Sequence, residues 1–99
     1  MRFEWYPEKA RANLSKHGVS FDTASEVFAD PMAITAPDRF VDGEFRWRSV
    51  GRVGPIAIMF VAHTYRDDDG EEVVRLISAL KARAHERRAY ERGDETAIG

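Results

Sequence analysis

Apolar and polar positions change their spacing several times along this chain, and those changes mark out its elements. Arg2–Tyr6 alternates, with Phe3 and Trp5 on one side, which predicts a short strand. Pro7 suits the first position of a helix, Glu8–His17 is rich in helix formers, and Gly18 is a natural left-handed stop. Ala10, Leu14 and His17 align along one face of that helix. A second helix follows, capped by Ser20 or Asp22, with Phe21, Ala24, Val27 and Phe28 as its inward stripe and Asp30-Pro31 as its end. Met32–Thr35 reads as a brief strand, and Ala36–Gly43, polar and marked by Pro and Gly, as a loop.

Three strands then follow in series. In Phe45–Gly51, Phe45 and Trp47 fall on one face and Glu44, Arg46 and Arg48 on the other. Ile56–Tyr65 is apolar on both faces for most of its length, as a central strand is. Glu72–Ala79 comes after the turn Asp67-Asp68-Asp69-Gly70. Short turns of this kind join antiparallel neighbours. A helix over residues 81–92 closes a single domain of residues 1–92, and 93–99 is expected to be a flexible C-terminal tail. The expected class is α+β: an antiparallel sheet packed against two N-terminal helices, its other face partly open, with a C-terminal helix.

Composition narrows the chemistry. The 99 residues include no cysteine, which removes disulfides, thiolate metal sites and a cysteine nucleophile. No apolar run reaches membrane-spanning length and no signal-peptide core follows Met1, so a cytoplasmic protein is expected. The net charge of −2 does not mark a nucleic-acid binder. The charge is uneven, however: Glu44–Arg52 carries three arginines against one acid, and Lys81–Arg92 five Lys/Arg against two. A local basic patch holds a phosphate backbone even on an acidic protein. The three histidines are scattered and form no HxxxH or HExxH pattern, and Asp67–Gly70 lacks the alternating ligands of a calcium loop. No metal or cofactor is expected.

The chain also resembles the BrnT toxin family. The match runs in order through Phe3-Glu4-Trp5, Lys9, Asn13, Lys16-His17-Gly18, Phe21, Ala24, Val27-Phe28 and Asp30-Pro31. It continues through Glu44-x-Arg46, Gly51, His63-Thr64-x-Arg66, Arg75, Ile77-Ser78-Ala79 and Glu86-Arg87-x-x-Tyr90-Glu91. The resemblance implies a RelE-like fold and a metal-independent endoribonuclease that inhibits translation. It also implies a BrnA-like ribbon-helix-helix antitoxin, through which the pair meets operator DNA. Two positions depart from the family pattern: Tyr6 stands where Asp is usual, which loses a helix cap, and Leu80 stands where Arg is usual.

Metal-free RNA cleavage needs a base for the 2′-OH, cations for the charged phosphorane and a proton for the leaving oxygen. Glu44 is a candidate base, with Arg46 as a phosphate ligand; a cross-strand ion pair is the plainer alternative for both. His63 is the acid–base candidate whose ordinary pKa lies nearest neutrality, with Arg66 and Arg75 flanking it. Lys16, Arg48 and Lys81 are expected RNA contacts. His17 suits a helix C-terminal cap, Asn13 one turn earlier can join it, and His85 is expected to be exposed. The rival expectation is an antitoxin-binding co-repressor module whose catalytic power is lost through Leu80.

Overall fold

In the computed structural model, which describes residues 1–55 and 57–98, five strands form one sheet in the order β1-β5-β4-β3-β2. The strands are β1 (Arg2–Glu4), β2 (Ile34–Val41), β3 (Glu44–Val53), β4 (Ala57–Asp68) and β5 (Glu71–Lys81). Helix α1 (Pro7–His17) and the short α2 (Phe21–Ala24), prolonged by a 3-10 segment (Ser25–Ala29), follow β1; α3 (Ala84–Arg92) follows β5. Ile56, expected to begin the central strand, and Gly99, at the end of the expected tail, lie outside the described residues.

Strands β2 to β5 form the antiparallel meander, with β4 at its centre. The sheet is nevertheless mixed, contrary to expectation, because β1 lies parallel to β5 and pairs Phe3 with Val74. With two helical segments between β1 and the meander, no hairpin ties β1 to β2, so it fills the free edge beside β5.

The expected loop over residues 36–43 is also corrected: most of it belongs to β2. Pro37 is tolerated because β2 is an edge strand. The register with β3 shifts between Pro37 and Phe40, a bulge that takes up Asp38 and Arg39. Asp42 and Gly43 both have positive φ, as a two-residue hairpin turn requires, and Asp69-Gly70 repeats the device between β4 and β5.

One core lies between α1, α2 and the sheet, built on Phe21, Ala24, Val27, Val61, Val74 and Leu76. Ser20 caps α2, its Oγ accepting from Thr23 N at 3.1 Å. Helix α1 docks through Ala10 and Asn13 and leaves Leu14 and His17 exposed, so only part of the expected face is buried. Asn13 Nδ2 donates to the carbonyls of Val19 and Ala79, and Oδ1 accepts from Ala79 N, which clamps α1 to β5 just after the bulge that interrupts the β4–β5 register. A second core lies on the opposite face, where Ile34 and Val50 meet Ala82, Ala89, Tyr90 and Ile98. The expected tail is therefore largely ordered: Glu95–Ile98 forms a 3-10 turn, and Ile98 is buried because it is apolar and reaches this core. Asp30 joins the two sides, accepting from Tyr90 Oη at 2.6 Å and from Arg52 N at 2.8 Å.

Candidate active site

The alternation along β3 decides which side chains meet. Its register with β4 runs unbroken from Trp47–His63 to Val53–Ala57. Arg48 pairs with Ala62 and Val50 with Phe60, so Glu44, Arg46 and Arg48 share the face that α3 and Ile98 cover farther along, around Val50. Arg75 pairs with Thr64 and lies on that same face. Four of the expected site residues are thereby gathered: Glu44, Arg46, Arg48 and Arg75.

Arg75 Nη2 donates to Glu44 Oε1 in a short contact between β5 and β3, reaching across β4. The Arg75 Cζ also sits 5.5 Å from the centroid of the Tyr6 ring, within cation–π range. Tyr6 makes no side-chain cap to α1, in keeping with the loss expected from its departure from Asp, and contributes its ring to this face instead. Arg46 has no ion pair among the described residues, and its buried Nε has no hydrogen-bond partner. The Nε of Arg48 is likewise buried and unpartnered, although its Nη2 lies 3.8 Å from Asp38 Oδ1 and 3.5 Å from the carbonyl of Pro37. Two guanidiniums side by side on one strand face form a cationic pair that suits a phosphate.

Beyond Arg48 the face deepens into a cleft of about 310 Å³. Phe60, Ala62, Ser78 and Leu80 lie on its sheet side, while Arg83, His85 and Glu86 enter from the start of α3. Glu86 Oε1 accepts from Arg83 N at 2.7 Å and is buried beneath that turn. Sequence reading passed over Asp38, Arg39 and Arg83, and it placed His85 on an exposed surface without assigning it a role. His85 is exposed and also lines the cleft. The basic cluster over 81–92 was the signal that could have found this wall. Leu80 shares the cleft with Arg48, so an arginine at position 80 would belong to it; Lys81 lies instead with Ile58, Ala82 and Arg87 around a separate small depression.

The remaining expectations separate from this cluster. Arg66 donates to Glu4 Oε1 at 2.7 Å, near the β1 edge. Lys16 is exposed in the last turn of α1, a helix that packs on the opposite face of the sheet. His63, expected to serve as an acid–base group, is fully buried on the helix-covered face. Its ring meets Phe28 edge-on at 4.8 Å and Tyr65 at 4.9 Å. Its Nε2 lies 2.7 Å from Ser49 Oγ, which in turn lies 2.7 Å from Thr35 Oγ1. Burial pushes the imidazole pKa down to about 4. The acid–base role expected of His63 is thereby corrected, since its ring is neutral, enclosed and on the far side of the sheet from Glu44.

The α+β fold agrees with what comparison with known proteins shows. Residues 5–86 match the family described as the ribonuclease toxin, BrnT, of type II toxin–antitoxin systems. The chain belongs to the BrnT family of type II toxin–antitoxin toxins. The crystal structure of the Brucella abortus ribonuclease toxin BrnT is similar to it, with 25% sequence identity and a TM-score of 0.65, over 84% of this chain and 97% of that one. Curated protein sequences give no match. Among the described residues, no helix is long and apolar enough to cross a membrane.

Proposed function

We propose that this toxin is a metal-independent endoribonuclease of RelE-like fold, and that it cleaves RNA on the sheet face carrying Glu44, Arg46, Arg48 and Arg75. The observation that carries this reading is the grouping of Arg46 and Arg48 with the Glu44–Arg75 contact on one face of the sheet. Arg46 and Arg48 bind the scissile phosphate, and Glu44, held by Arg75, accepts the 2′-OH proton. The 2′ oxygen bonds to phosphorus, the bond to the 5′ oxygen breaks, and the leaving oxygen takes a proton from water. The products are a 2′,3′-cyclic phosphate and a 5′-hydroxyl. DNA, which lacks the 2′-OH, is not a substrate. Arg66 and Lys81 contribute to RNA binding from the margins, as does Lys16 from the helix side. The protein acts in the cytoplasm, where RNA cleavage inhibits translation. A BrnA-like ribbon-helix-helix antitoxin neutralises it and brings the pair to operator DNA.

Cleavage of a defined RNA in EDTA tests the reading. Arg46→Ala and Glu44→Gln each lower the rate by about 100-fold or more, in the range found when a transition-state donor or a general base is lost. Added antitoxin abolishes cleavage by the unmodified chain. Full activity in both variants sinks the assignment of the site, and loss of activity on chelation sinks metal independence. A second reading, an antitoxin-binding co-repressor without useful nuclease activity, draws on Leu80, which lines the cleft beside Phe60 and Ala62 at the position where the family pattern has an arginine. It predicts tight antitoxin binding by a folded protein that cleaves no RNA.

A further inference from the structure

We infer that the cleft between α3 and the open sheet face is a nucleobase subsite selective for guanine, adjoining the phosphate site through Arg48. The inference rests on the reading of that face as the ribonuclease site. It starts from the bulge in β2. Regular alternation sends neighbouring residues of a strand to opposite faces, yet Asp38 and Arg39 are consecutive and both line the cleft. The register shift between Pro37 and Phe40 is what allows this, and re-aiming a side chain is a common use of a bulge.

Asp38 Oδ1 lies 3.8 Å from Arg39 Nε and 3.8 Å from Arg48 Nη2. Both distances are too long for hydrogen bonds, so the cations hold the carboxylate without saturating it. A carboxylate with open acceptors matches a base edge bearing two adjacent donors, and the N1–H and N2–H groups of guanine are such an edge. Phe60, Ala62 and Leu80 supply the apolar surface against which a base lies flat, and Arg83 supplies a planar guanidinium on the helix side. Arg48 lines the cleft and also adjoins Arg46, so a base in the cleft and its phosphate are held by one continuous set of cations.

The four nucleoside 3′-monophosphates, titrated separately into the intact protein and followed by NMR, test the inference. Guanosine 3′-monophosphate binds about tenfold or more tighter than the other three, the discrimination that one bidentate contact gives, and shifts the methyl signals of Leu80 and Ala62. Asp38→Asn removes the preference while binding of the phosphate persists. Arg83→Ala, a change at an exposed position, weakens guanosine 3′-monophosphate and leaves inorganic phosphate unaffected. Equal binding of all four nucleotides, or shifts confined to Arg46 and its neighbours, overturns the subsite. Guanine-selective binding by a protein that cleaves no RNA supports the subsite and overturns the nuclease reading, so the two fail separately.

Discussion

At neutral pH His63 is uncharged in the folded protein, and acid turns that into a cost. Its pKa is about 4 when buried against 6.5 for an exposed imidazole, so between those values the unfolded chain binds a proton that the folded chain refuses. The contribution of His63 is fully present above pH 6.5 and is lost as the pH falls towards 4. Urea unfolding at pH 7 and pH 5 is expected to show about 2 kcal/mol less stability at the lower pH from this group alone. In His63→Gln, which does not titrate, most of that difference disappears. An equal pH dependence in the variant refutes the assignment. Cleavage by His63→Gln, corrected for the folded fraction, is expected to stay near that of the parent chain, because the residue stands on the far side of the sheet from Glu44.

At the scale of elements, the meeting of the 3-10 segment with β3 leaves no room for a side chain at Gly51. A Cβ there would lie 2.9 Å from Val27 Cγ1, 3.1 Å from Ala33 Cβ and 3.2 Å from the carbonyl of Val27. Gly51→Ala therefore destabilises the fold by about 1–3 kcal/mol, as overpacking of a filled core does. An unchanged denaturation midpoint contradicts that close approach. How far such details were legible varied from strand to strand. The alternation of Phe45 and Trp47 against Glu44, Arg46 and Arg48 displayed the two faces of β3 directly, and the grouping of those three charged residues followed from it. Residues 56–62 are apolar on both faces, so nothing in the pattern told which side His63 would take. Asp42-Gly43 is the same turn dipeptide as Asp69-Gly70, but Pro37 and Asp38 disguised the strand before it. The bulge that carries Asp38 and Arg39 towards the cleft arises from pairing between strands, which no local window contains.

For the molecule as a whole, the second core depends on the end of the chain. Ile98 closes it against Ile34, Val50 and Tyr90, so Ile98→Ala is expected to cost about 2–4 kcal/mol, and deletion of residues 95–99 more. Thermal unfolding of the two variants measures this, and a melting point unaffected by either change refutes it. Chain order matters as much as packing. The first strand pairs with the last, Asn13 is clamped to Ala79, and Glu44 meets Arg75. Each of these contacts waits for β5, and closing such long loops is among the slower events in folding. During synthesis, a chain that has emerged only as far as β4 has Arg46 and Arg48 but neither Arg75, the partner of Glu44, nor the helical wall of the cleft. The fold thus carries its own timer: the face that gathers Glu44, Arg46, Arg48 and Arg75 is complete only after β5 and α3 have been made.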